Sequence, residues 1–184
     1  MVKSRVRQRG KSRKSNALTA RQKTASYLRN FTFGVEDSLV STVGLLSGIA
    51  AANVPQQTIF LTGLVLIFVE AFSMAVGSFL SEHSAEDYLE RKESRTQEPG
   101  KNGAIMFFSY FVVGFIPLLP YVLLDIPYAL PVSISLSLIS LFILGAINAA
   151  VSRTHALKEG LEMSIIGGLA IALGIMVGKM VMIA

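Results

Sequence analysis

The chain has 184 residues, of which 52% are apolar and only 16% charged, with 15 glycines besides. That is more apolar surface, with fewer charges to cover it, than a water-soluble domain carries, which makes a disordered chain, a nucleic-acid module and a simple soluble enzyme poor first readings. Cysteine is absent, excluding disulfides, thiolate metal sites and cysteine nucleophiles, and the net charge of +5 conceals a basic first segment ahead of a mildly acidic remainder.

Residues 1–30 hold ten Lys/Arg and no acid. They read as a flexible basic cytosolic tail, drawn to anionic lipid heads at about 1 kcal/mol per basic residue near the surface. Charge alone would also suit nucleic acid, but no aromatic interleaving or folded basic module accompanies it, and no nucleic-acid partner is expected.

Residues 31–184 read as a membrane domain. Five apolar stretches follow one another, Phe31–Ala52, Thr58–Ser81, Ala104–Leu124, Pro131–Val151 and Ser164 to the C-terminus. Each is near the ~20 residues a helix needs to cross the hydrocarbon core. The expected fold is therefore all-α, a polytopic integral membrane protein with five transmembrane helices. Sixteen of the 17 Lys/Arg fall in the tail, in the 82–103 loop and in the 152–163 loop. Basic residues near span ends stay in the cytoplasm, which puts the N-terminus in the cytosol and the C-terminus on the opposite side; Lys179 can snorkel from the outer end.

Asn53, Pro55, Asp125, Pro127 and Pro131 are expected at tight outer turns, and Pro117 and Pro120 should kink the third span. Gly44/Gly48 and Gly174/Gly178 are small pairs at helical spacing that permit close helix contact, within one chain or between two. Gly34 to Gly48 and Gly160 to Gly174 share Gly, Glu, Ser and Gly in register, a faint internal echo.

Acids inside a bilayer cost about 2.5–3.5 kcal/mol and usually face a protein interior or a watery path. Glu36 and Asp37 lie in the inner third of the first span, Glu70 near the middle of the second. Met74 and Asp37 should sit at similar depth, roughly 10 Å in at 1.5 Å per residue, and Glu70 and Met74 share a helix face at i and i+4. If those faces meet, carboxylates and a thioether line one path. Mixed oxygen and sulfur ligands point to Fe(II) or Mn(II) as substrate rather than Mg or Ca, although Met74 is also an ordinary packing residue and Glu36 could snorkel back toward the tail. In the acidic loop Glu82, Glu86 and Glu90 recur at i+4 with His83 and Asp87 alongside; they could gather cations or form a solvated helix paired with Lys/Arg. Glu159, Glu162 and Met163 stand at the inner mouth of the fifth span, and His155 reads as a surface histidine. No nucleotide-binding loop, nucleophile elbow or zinc-protease motif is present, so no enzyme, prosthetic group or ATP drive is expected.

NFTFGVEDSLVSTVGLLSGIAAA, GLVLIFVEAFSMAVGSFLSEHSAEDY and the Gly-rich last helix resemble the vacuolar iron transporter family over roughly residues 30–184. The resemblance implies five transmembrane helices per subunit, a homodimer with its pore between subunits, and movement of Fe(II) and Mn(II) out of the cytosol against protons, across a vacuolar or cell membrane. Asp37 matches the family's first-helix acid in the ion path and Met74 its second-helix methionine; Glu70 shares that helix face. Family members with a longer cytosolic metal-binding domain between the second and third spans differ from this chain, which keeps only a short acidic loop there. A membrane-anchored interaction or structural protein without transport activity is the alternative, though it has no need of buried Asp37 and Glu70.

Overall fold

The computed structural model describes the backbone of residues 2–89 and 98–183 and the side chains of residues 21–85 and 98–182. Helix α1 runs Val2–Ala51, α2 Gln56–Leu89, α3 Pro99–Leu118, α4 Pro120–Leu123, α5 Ile126–Ser152 and α6 Ala156–Ile183. No strand occurs among the described residues. Five of these helices are long and apolar enough to cross a membrane. Apolar side chains such as Phe68, Phe72, Ile139 and Val181 stand exposed on α2, α5 and α6, as expected of a body solvated by hydrocarbon rather than water.

α1 is the central helix, with 61% of its apolar window buried against 22% for α2 and 11% for α6. Its sequence explains why. Ser26, Asn30, Gly34, Ser38 and Thr42 recur every four residues, so they form one small, polar face, and all five are buried. Helix α3 lies along that face, where the Ser38 hydroxyl donates to the Tyr110 carbonyl at 2.7 Å. A second small face carries Gly44 and Gly48, which meet Gly174 and Gly178 of α6 so closely that no side chain would fit between them. The two glycine pairs thus serve one contact inside the chain, made by dispersion and shape in a medium where no hydrophobic drive separates helix from lipid.

The ends of the helices follow from their turn chemistry. Asn53 (φ 55°) and Arg153 (φ 58°) take the left-handed conformation just past α1 and α5, a common way to stop a helix. Proline breaks the third span at Leu119, leaving α4 as a single turn. The Pro117 carbonyl at this break accepts from Ser133 of α5 at 2.7 Å, and Gln56 donates to the Tyr121 and Leu124 carbonyls at 2.8 and 2.9 Å. Polar side chains thereby answer backbone groups that lipid could not.

Two expectations are corrected. Pro131 is not at an outer turn but inside α5, which starts at Ile126 with Pro127 in its first turn; only the N–H that Pro131 lacks is lost there, and the backbone keeps helical dihedrals. The fifth span begins eight residues sooner than its hydropathy, at Ala156, since Leu157, Leu161 and the Lys158–Glu162 pair at i and i+4 suit a helix as well as the apolar run does. The basic segment and the first span share one helix from Val2.

Candidate functional site

Antiparallel packing of α2 on α1 brings the acid-bearing stretches level with each other. At one end Ser78 donates to Asn30 at 2.7 Å, and at the other Leu46 borders Gly63. Between these contacts Asp37 of α1 lies within electrostatic reach of Glu70 of α2, and the buried Tyr110 of α3 feels both carboxylates. Its hydroxyl lies 2.7 Å from the Ser41 hydroxyl. Asp37, Glu70, Glu36 and Met74 are all half-buried.

Glu36 is one residue, hence about 100°, around the helix from Asp37. It lines a cleft of about 910 Å³ together with Met74, Arg29, Ser78, Glu82 and Met106. The structure therefore divides the expected ligand set. Glu36 and Met74 line the cleft, Asp37 and Glu70 are not among its lining residues but lie within electrostatic reach of each other, and Glu70 stands one turn from Met74 on α2. Among the described residues no three His, Asp or Glu side chains converge as a resident metal cage would.

The acidic extension behaves differently from the acids in the span. Glu82 is only 4% exposed and accepts from Arg29 at 2.5 Å and Ser26 at 2.9 Å. Glu86 lies on α2 with its side chain outside the described residues, and Glu90 lies outside them altogether. Glu159 accepts from Thr154 in the turn before α6 and Glu162 stands 3.8 Å from Lys158 on α6, so both have local partners.

Sequence reasoning missed the polar network beneath the carboxylates. Asn102 of α3 donates to Ser26 at 3.0 Å, Asn30 donates to the Ser26 carbonyl at 2.9 Å, and Thr32 donates to Asn148 of α5 at 3.0 Å. The four-residue spacing of Ser26, Asn30 and Ser38 was the available signal; a hydropathy count hides it because each letter scores as polar. Glu98, just before α3, was missed as well. It accepts from Lys23 at 2.9 Å and Tyr27 at 3.0 Å and pairs with Lys101. Hydrogen bonds from Lys101, Lys23 and Tyr27 hold its carboxyl down at about 2, against an ordinary 4.5.

Residues 28–99 and 89–179 match the model of the VIT family. The chain is similar to vacuolar iron transporter homolog 5 of Oryza sativa subsp. japonica, 27% identical over 168 residues that cover 85% of this chain and 80% of that protein. It is similar also to vacuolar iron transporter 1 of Arabidopsis thaliana, 24% identical over 216 residues covering 84% and 86%. A shorter stretch of 71 residues, 39% of this chain and 29% of the relative, is 35% identical to vacuolar iron transporter 1 of Tulipa gesneriana.

Proposed function

The chain belongs to the VIT family of multi-pass membrane proteins, and from that premise we propose that it transports iron, as Fe(II), with Mn(II) as a second substrate. Transport runs out of the cytosol, into a vacuole or across the cell membrane, in exchange for protons. The working unit is a homodimer. Its basic end, carrying Lys23, Arg29, Lys101 and Arg153, faces the cytosol by the positive-inside rule.

One observation supports this reading: the antiparallel α1–α2 packing brings half-buried Asp37 within electrostatic reach of half-buried Glu70, with Met74 one turn along α2. Two acids that share a site repel unless a cation or a proton joins them. A divalent ion between them replaces part of its water shell with carboxylate oxygen, while the Met74 thioether favours Fe(II) and Mn(II) over Mg and Ca. Protons compete for the same oxygens, so a more acidic outer side releases metal and returns protons inward, a physical basis for exchange. Glu36 adds an acid to the lining of the cleft, and the acidic residues that follow Glu82 in sequence, Glu86 and Glu90, raise the cation concentration on the cytosolic side.

The test is Fe(II) and Mn(II) flux into liposomes holding the purified protein, with and without an imposed pH gradient, beside Asp37→Ala. Gradient-dependent flux in the wild type that disappears in the variant is expected. Undiminished flux in a folded Asp37→Ala protein refutes the assignment.

A further inference from the structure

The roles given to Asp37, Glu70 and Met74 leave the mouth of the cleft unexplained. Glu82 is 4% exposed, yet the Arg29 guanidinium that pairs with it at 2.5 Å is 70% exposed. The same carboxylate oxygen accepts from Ser26, so Glu82 is fixed while Arg29 reaches in from solvent. Both residues line the cleft shared with Glu36 and Met74. Arg29 precedes Glu36 by seven residues on α1 and Glu82 follows Met74 by eight on α2. At 1.5 Å per residue the pair sits about 10–12 Å nearer the basic end.

A carboxylate removed from water is costly to leave without a cation. The guanidinium supplies one, but its long side chain already lies mostly in solvent and can withdraw there without being desolvated again. A divalent ion in the mouth meets a buried acceptor one of whose partners, Arg29, is a movable cation.

We infer that Arg29 is a tethered competing cation: a divalent metal ion loads by displacing its guanidinium from the Glu82 carboxylate, and the guanidinium returns to Glu82 as the ion passes on toward Glu36 and Met74. The inference rests on the transport reading above. Arg29 sets the concentration at which the path loads and keeps the mouth neutral between ions, so that Glu82 does not hold the metal it has admitted.

The experiment measures Mn(II) flux in liposomes against Mn(II) concentration for wild type, Arg29→Ala, Arg29→Lys, Glu82→Gln and the double variant Arg29→Ala/Glu82→Gln. Removing the competitor lowers the half-saturating Mn(II) concentration about fivefold in Arg29→Ala, the scale of one partly solvated charge pair, with Arg29→Lys between it and the wild type. Glu82→Gln raises that concentration, and in its background Arg29→Ala no longer lowers it. Arg29→Gln, which keeps donors toward Glu82 without the charge, stands in if Arg29→Ala does not fold. An unchanged or raised half-saturating concentration in the charge-removing variant, or the same fall in the Glu82→Gln background, overturns the inference while leaving transport intact. A wild type that carries no ion overturns the transport reading and this inference with it.

Discussion

Gly178→Ala adds a single methyl group where α6 touches α1. A Cβ at Gly178 would lie 2.0 Å from the Gly48 carbonyl oxygen and 2.8 Å from its carbon. Backbone cannot rotate aside as a flexible side chain can, so the helices must part by more than about 1 Å before the contact becomes ordinary. Overpacking of this kind costs about 1–3 kcal/mol. For a chain of this size that corresponds to a fall in melting temperature of about 2–12 °C. Gly168→Ala on the same helix is the control, since nothing lies within 4 Å of its Cβ. There alanine brings up to about 1 kcal/mol of helix propensity with no clash, and the melting temperature should hold or rise. The chain has no tryptophan, so unfolding in detergent is followed by far-UV circular dichroism. If the two variants melt together, the close α1–α6 crossing is wrong. A lowered Gly178→Ala midpoint beside an unmoved Gly168→Ala supports it.

Two further outcomes are expected. Met74→Leu keeps the volume of the side chain and should cost less than about 1.5 kcal/mol in stability, but it removes the sulfur; excess Mg(II) or Ca(II) should then inhibit Fe(II) flux where it barely touches the wild type, and unchanged inhibition would count against Met74 as a ligand. Glu98 has its carboxyl held down at about 2, so its contribution to stability is complete above the ordinary value of 4.5 and lost as pH falls toward 2. The melting-temperature gap between wild type and Glu98→Gln should therefore be constant from pH 7 to about 5 and close progressively below; a gap that persists near pH 2 contradicts the clip of Lys23, Tyr27 and Lys101 around Glu98.

What the sequence made legible was whatever depends on one helix at a time. Span number follows from runs of apolar letters, and Asn53 marks a turn because asparagine tolerates the left-handed backbone found there. Depth was legible only to about one turn: 1.5 Å per residue put Asp37 level with Met74, whereas the Asn30–Ser78 and Leu46–Gly63 contacts set it level with Glu70 and Ala71. Rotation of each helix about its axis was not. Glu36 and Asp37 are neighbours in sequence, and only the packing of α2 and α3 on α1 puts Glu36 in the lining of the cleft and Asp37 outside it, within electrostatic reach of Glu70 and Tyr110. Glu82 looked like one tooth of a solvated acidic comb, yet Arg29 and Ser26 from a helix 53 and 56 residues away bury it. The Gly44/Gly48 and Gly174/Gly178 pairs were visible as small faces, but nothing local indicates that they meet each other.

The two helices that carry the carboxylates differ in how much of their surface is buried, which bears on the proposed ion path. α1, with Asp37, is packed against α2, α3, α5 and α6, and its hydroxyls are tied to α3 through Ser38 and Ser41. α2, with Glu70 and Met74, packs chiefly on α3 and α1 and keeps only 22% of its apolar window buried. A transported ion has to bind well enough to shed water yet weakly enough to move on. Under the transport reading proposed above, a fixed Asp37 within electrostatic reach of Glu70 is expected to meet both demands: an ion between the carboxylates would relieve their repulsion, and that repulsion would favour its replacement by the next ion or by a proton.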